Sequence, residues 1–328
     1  MKYLSNLPVL ARFFKNLLKT QAAVKTGFRI DPKPLILIWE STNRCNARCI
    51  YCDFWRTRPA DQGLLDETEV RDLIDQAAAL GVCCFSISGG GEPLLREDLA
   101  RNIEYCKSKG LVVAVTTNGL LIDSKRSQDL LKADVVTVSL DSLDEKKSAK
   151  RRGTPDYFKR ALAGIETLTR NNKNTYLCVQ SVLDEENWRE INEINNFFYR
   201  MGVDTLFQPR YNHAFRIPAG EWQHRIRKLK FKNILTRKLL KDFMAAFPRI
   251  ADGSWQGSCL AGSVSLVVSA TGELSVCHLN KDFSADLKKI SLNAAWTDMR
   301  QIRTKLLLSD RNCVCGDTAI VPYSMLVV

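Results

Sequence analysis

The sequence predicts an α/β fold: a partial (β/α)6 barrel of TIM type, with a small C-terminal module behind it. Three observations predict it. Strand and helix patterns alternate six times between residues 35 and 208, glycines close several of the helices just before the next strand, and the alternation gives way to short strands and turns near residue 259.

Residues 1–34 read as a basic N-terminal extension. Leu4, Leu7, Leu10, Phe14, Leu17 and Leu18 recur at helical spacing with cations between them, and Pro8 predicts a break or a late start. Residues 35–215 carry the barrel. Its strands are LILIWE (35–40), CCFSIS (83–88), VVAVTTN (112–118), VVTVSL (135–140), YLCVQSV (176–182) and VDTLFQ (203–208). Helical patterns fall roughly at 66–80, 96–109, 123–132, 156–171 and 186–201. Gly81, Gly110 and Gly202 stand where a helix ends and wants a left-handed residue. Six units fall short of the eight that close a full barrel, so the barrel is open. Residues 216–258 read as a basic linker, helical over 221–247. Residues 259–328 form the module, with a hairpin of VSLVVS (264–269), a turn at Ala270-Thr271-Gly272, and ELSVC (273–277).

The 328 residues are 45% hydrophobic and 26% charged, ordinary for a globular protein. No apolar run is long enough to span a membrane, and Arg12, Lys15 and Lys19 interrupt any signal-peptide core. The net charge of +12 is local. Residues 1–30 hold six cations (Lys2, Arg12, Lys15, Lys19, Lys25 and Arg29) and no acid; residues 224–241 hold eight and no acid. Those fourteen exceed the whole excess, leaving a near-neutral body. Two local basic segments point to contacts with something anionic, an anionic membrane face among them, rather than to nucleic acid. Eleven cysteines at metal-ligand spacings, with no export signal, point to a reducing cytoplasm.

STNRCNARCIYCDFW places Cys45, Cys49 and Cys52 as C-x3-C-x2-C directly after the first strand. Three thiolates can bind three irons of a [4Fe–4S] cube and leave the fourth iron open. An open position marks a catalytic metal centre, and the C-terminal end of a barrel strand is where active sites sit. A three-cysteine zinc site and incidental thiols are the alternatives at this point.

CNARCIYC resembles the cluster motif of the radical S-adenosylmethionine (radical SAM) superfamily, including the aromatic before the last cysteine. GGGEPLL (89–95), TTNG (116–119) and SLDS (139–142) follow in the family's order, each at a strand end. The resemblance covers about residues 35–210. It implies that the open iron binds SAM, whose reductive cleavage gives a 5′-deoxyadenosyl radical that abstracts hydrogen from an unactivated C–H bond. It implies a reductant such as flavodoxin or ferredoxin. By the same resemblance, Gly90, Gly91 and Glu92 flank the methionine part of SAM, with the glycines letting backbone approach a ligand and the carboxylate holding an ammonium. Tyr51 lies beside the adenine, Ser139 and Asp141 near the ribose and carboxylate, and Arg152 of RRG (151–153) binds the carboxylate. Asn118 and Gln180 point to the same mouth.

Cys259, Gly272 and Cys277 form C-x12-G-x4-C, which resembles the entrance of SPASM and twitch modules. With Cys313 and Cys315 they make four thiolates, enough for one auxiliary [4Fe–4S] cluster, with a zinc knuckle as the alternative. Cys83, Cys84, Cys106 and Cys178 read as structural. Arg210, Tyr211 and His213 follow the sixth strand and are the substrate-contact candidates; His278 reads as support for the second cluster. The chain resembles the molybdenum-cofactor cyclase in GGEPLLRED and SLDS but ends MLVV, without that enzyme's terminal diglycine. The substrate classes left open are a peptide, a lipid or isoprenoid, and a sugar or nucleotide. The competing class is a non-catalytic iron–sulfur or zinc protein that binds membrane or nucleic acid.

Overall fold

The computed structural model describes residues 7–58, 62–211, 213–232, 234–255, 260–278 and 282–308. Six parallel strands follow one another in space as in sequence: β1 (Ile36–Trp39), β2 (Cys84–Ile87), β3 (Val112–Thr117), β4 (Val135–Ser139), β5 (Tyr176–Leu183) and β6 (Asp204–Pro209). The predicted hairpin forms as β7 (Ser265–Val268) and β8 (Glu273–Ser275), with β9 (Ser284–Asp286) beside it. It does not stand apart from the barrel. β7 lies parallel to β1, with Ile36 opposite Ser265 and Ile38 opposite Val267. The sheet therefore runs β6-β5-β4-β3-β2-β1-β7-β8-β9, and β1 meets β7 where a closed barrel would bring β6. This is the open barrel that the strand count predicts.

The helices are α1 (Leu7–Lys25), α2 (Phe54–Thr57), α3 (Glu67–Leu80), α4 (Leu99–Ser108), α5 (Ser124–Leu130), α6 (Glu145–Arg152), α7 (Tyr157–Asn171), α8 (Ile191–Arg200), α9 (Ala219–Ile226), α10 (Ile234–Ala251), α11 (Leu292–Asp298) and α12 (Arg300–Leu308). Asp66 caps α3 in a capping box with Glu69, and Gly81 ends it at φ 95°. The sequence reading missed α6. Its residues EKKSAKRR carry no apolar stripe, and the side chains it buries are Ser148, Arg151 and Arg152.

Strand alternation sorts the sheet into two faces. Phe85, Ile87, Val113, Val115, Val136, Val138, Leu177 and Val179 are buried in the common core. The opposite face carries Ser86, Ala114, Thr116, Thr137, Ser139, Gln180 and Gln208, which the pairings place on one side. A polar inner face leading to the strands' C-terminal ends is the setting for a ligand.

The N-terminal helix covers the other end of the barrel. Arg12 Nη2 donates to Gly110 O at 2.7 Å and Asn16 Nδ2 to Gly81 O at 2.8 Å, just before β3 and β2. Ala23 and Phe28 are buried. Among the described residues, no helix is long and apolar enough to cross a membrane.

Candidate active site

The three cysteines sit on the loop that leaves β1 at the barrel mouth. Two segments hold that loop, one from each side. On one side, Gly91 N donates to Thr42 O at 2.6 Å and Glu92 N to Arg44 O at 2.8 Å. A Cβ on Gly91 would lie 1.8 Å from Arg44 O, and one on Gly90 2.8 Å from Thr42 O. On the other side, Arg48 N donates to Arg152 O and Ile50 N to Arg151 O, both at 3.0 Å. A Cβ on Gly153 would lie 2.1 Å from Arg48 O. The glycines of GGGEP and RRG are thus needed for close packing of backbone on the cysteine loop. The sequence reading gave the first of these close approaches to a ligand; the backbone packing is a second demand on the same glycines.

Glu92 is likewise committed to protein. Its carboxylate accepts from Thr117 Oγ1 at 2.6 Å, Asn118 N at 2.7 Å and Leu94 N at 3.1 Å. Burial pushes its acidity constant up, against the pull of those donors. It binds the end of β3 to the β2 loop. Asn118 continues the link: its Nδ2 donates to Asn46 Oδ1 at 2.7 Å and lies 4.0 Å from Cys45 Sγ.

Asp141 is fully buried and forms the second hub. It receives Arg152 Nη2 at 2.8 Å, Tyr51 OH at 2.6 Å and Val182 N at 2.9 Å. The Arg152 guanidinium also stands over the Tyr51 and Tyr157 rings, and its Nη1 is 3.9 Å from Cys49 Sγ. The sequence reading offered Arg152 to a ligand carboxylate, Asp141 to a ribose and Tyr51 to an adenine. The structure turns all three on one another, because an arginine buried this deeply needs a counter-charge.

Ser139 and Gln180 are register partners on the inner face, and Gln180 donates to Gln208. His213 Nε2 lies 2.7 Å from Glu185 Oε2. Burial raises the Glu185 acidity constant, but its own backbone N–H, His213 and the Arg210 charge together hold it low. His213 therefore pairs with Glu185, beyond β5, and Tyr211 is half-buried. Cys277 is buried, and its neighbour His278 reaches Glu40 Oε1 at 2.9 Å. Cys259, Cys313 and Cys315 lie outside the described residues.

Burial pushes the Cys45 thiol up to about 11, with Glu92 and the other two cysteines adding to it and the Ala47 N–H opposing. Burial also raises Cys52. Three thiols thus share one partly buried loop and feel one another's charge. Among the described residues, no three His, Cys, Asp or Glu side chains converge on a single ion. A [4Fe–4S] cube takes one thiolate on each of three irons, which is the donor set this loop offers. The Ala47 N–H at 3.5 Å from Cys45 Sγ and the Arg152 guanidinium near Cys49 supply donors to the sulfurs.

Sequence reasoning missed three residues of this site. Glu40 is buried between His278 and Arg58. Arg151 is buried against Asp184 at 2.7 Å. Tyr157 OH ties Asn118 O to Ser139 O at 2.8 and 2.6 Å. Glu40 left a signal as a lone acid ending an apolar strand, and Arg151 as the first residue of RRG (151–153), where only Arg152 was given a role.

The AdoMet-dependent heme synthase of Methanosarcina barkeri is 30% identical over 189 residues, covering 57% of this chain and 52% of that protein. The antilisterial bacteriocin subtilosin biosynthesis protein AlbA of Bacillus subtilis is 27% identical over 274 residues, covering 79% and 58%. The chain thus spans little more than half the length of either relative. Among solved structures, native anSMEcpe with bound AdoMet shares the fold at a TM-score of 0.64 and 15% identity, over 89% of this chain and 94% of that one. Residues 39–198 match the profile of the Radical SAM superfamily, whose members are enzymes. That segment holds the cysteine loop and both of its supports, and over it the chain is similar to the radical SAM superfamily.

Proposed function

We propose that the protein is a radical SAM enzyme that abstracts hydrogen from an unactivated C–H bond. The observation that carries this reading is the cysteine loop at the barrel mouth, clamped from both sides by backbone bonds and close-fitting glycines. When bound there, a [4Fe–4S] cluster and SAM supply a 5′-deoxyadenosyl radical. The protein's part is to hold the loop. Gly91 and Gly153 fit it closely, Asn118 and Arg152 place donors near the sulfurs, and Asp141 balances the arginine. Ser139, Gln180 and Gln208 supply polar groups on the inner face, toward which SAM and substrate would bind. The test is reduction of anaerobically reconstituted protein with dithionite in the presence of SAM. 5′-Deoxyadenosine is expected, and its absence from a fully loaded sample defeats the reading. Cys49→Ala abolishes the product.

We also propose one auxiliary [4Fe–4S] cluster on Cys259, Cys277, Cys313 and Cys315, supported by their spacing. About eight irons per chain are expected, and about four exclude it.

A second reading adds a peripheral membrane contact. Phe14 and Leu18 are 57% and 64% exposed on α1, beside the exposed Lys15 and Lys19. An apolar pair flanked by cations suits an anionic lipid surface.

A further inference from the structure

We propose that the base of the barrel is a single lipid-facing surface, built jointly by α1 and the second basic segment, and that it seats the protein on an anionic bilayer with the cysteine loop turned to water. The proposal rests on the membrane reading, in which α1 alone makes the contact, and extends it to a second element and to an orientation.

The two basic segments are far apart in sequence, and the fold brings them to the same end. Arg12 and Asn16 fix α1 to Gly110 O and Gly81 O, at the turns that enter β3 and β2. Residues 227–232 are fixed beside the turn that enters β6. Lys232 N donates to Asp204 Oδ1 at 2.7 Å, and Asp204 is the first residue of β6. Lys230 N donates to Asn195 Oδ1 of α8 at 2.8 Å, and Asn195 Nδ2 returns a bond to Lys230 O at 2.8 Å. Gly81, Gly110 and Asp204 all stand where strands begin, opposite the cysteines.

The side chains presented there are cationic and wet. Lys15, Lys19 and Lys25 are exposed on α1, and Lys228, Lys230 and Lys232 on the second segment. Lys230 and Lys232 stand over the Tyr199 ring, 5.9 and 4.1 Å from its centroid, which orders them without cancelling their charge. Neighbouring acids are engaged by other cations: Asp31 by Arg300, Asp75 by Lys109 and Asp134 by Lys107.

The apolar element lies at the same end. Five large apolar side chains are exposed among the described residues, and three of them, Phe14, Leu18 and Ile30, belong to α1 and the stretch that leads from it into β1. Apolar side chains flanked by cations suit a bilayer, because the former enter the headgroup boundary while each cation adds attraction to anionic lipid. Nucleic acid would answer the charge and leave Phe14, Leu18 and Ile30 without a partner.

The orientation follows from the strands. They are four to eight residues long, so roughly 13–26 Å of sheet separates the lipid face from the cysteine loop. On the radical SAM reading, the substrate then reaches the mouth from water. That favours a water-borne peptide, sugar or nucleotide over a lipid tail still in the bilayer.

The experiment measures co-sedimentation of the full chain with vesicles of mixed phosphatidylserine and phosphatidylcholine, and of phosphatidylcholine alone. Two variants carry equal charge changes: Lys230→Glu with Lys232→Glu at the base, and Lys146→Glu with Lys159→Glu at the exposed starts of α6 and α7, toward the mouth. Binding to the mixed vesicles is expected to fall at least about tenfold in the base variant, to change little in the mouth variant, and to weaken with added salt. A second measurement needs no variant. Acetylation of the wild type by a water-soluble reagent, read by mass spectrometry, is expected to spare Lys15, Lys230 and Lys232 on mixed vesicles and to mark Lys146 with or without them. Equal losses in the two variants overturn the proposal, as does protection of Lys146 or full labelling of Lys230 and Lys232 on vesicles. Wild-type binding by the base variant also overturns it; loss of binding in Phe14→Glu with Leu18→Glu then leaves the reading that rests on α1 standing. A wild type that binds duplex DNA and no vesicle defeats both.

Discussion

Arg152 and Asp141 form a two-pronged ion pair at the barrel mouth, with Nη2 on Oδ1 and Nε near Oδ2, each at 2.8 Å. The second prong is a charge contact and not an aligned hydrogen bond, since Nε is left without a hydrogen-bond partner. Both side chains are almost without solvent, and apart from Arg152 the nearest cation to Asp141 is Arg151, whose Nε lies 3.8 Å away. Arg152→Ala is expected to destabilise the apo protein by about 3–5 kcal/mol, the usual cost of orphaning a buried charge. Arg152→Lys keeps the charge and loses the fork, and should fall between. Denaturant midpoints check both.

Gly91→Ala is expected to prevent cluster loading. Its Cβ would meet Arg44 O at 1.8 Å, and backbone cannot yield as a flexible side chain does. Gly220→Ala is the matched control, on a helix with nothing within 4 Å, and should stabilise by about 0.5–1 kcal/mol. Iron content after reconstitution separates the two variants.

Glu40 makes stability pH-dependent. Burial raises its acidity constant, but the hydrogen bond from His278 and the charges of His278 and Arg58 win, leaving it below its ordinary 4.5. A lowered carboxylate contributes stability that is complete above the unfolded value and fades as pH falls through the folded one. Glu40→Gln should therefore cost stability at pH 6 and lose less than the wild type on acidification below 4.5. Denaturation curves across that range show whether the two profiles converge.

The outer face of α1 is separable from its inner face. Asn16→Ala removes a buried donor to Gly81 O and should cost about 1–3 kcal/mol without changing vesicle binding. Phe14→Glu with Leu18→Glu should leave stability nearly unchanged and abolish co-sedimentation with anionic vesicles. Deleting residues 1–27, a cruder test, would also uncover the barrel base.

The strands and most helices are legible in the sequence because each carries a periodic apolar face or a glycine stop. The α6 helix is not, since it buries two arginines and a serine on polar partners outside itself: Arg151 on Asp184, Arg152 on Asp141 and Ser148 on Ser142 O. The cysteines and the glycines stand out as motifs. Their neighbours' duties do not. A motif shows that Glu92 and Arg152 accompany the loop; only the fold shows that Thr117 and Asn118 saturate one and Asp141 claims the other. Glu40 was hidden for the same reason, its partners lying 18 and 238 positions away.

The pairing of β1 with β7 has a consequence for the order of assembly. β1 begins at residue 36 and its partner at 265, so one flank of the strand that launches the cysteine loop stays unpaired through most of the chain's synthesis. Contacts so distant in sequence form late, and an open edge is a place for mispairing meanwhile. Glu40 waits equally long for His278. A nascent chain shorter than about 265 residues thus carries its three cysteines on a loop with an unfinished flank, and iron delivered then meets a ligand set that is not yet held.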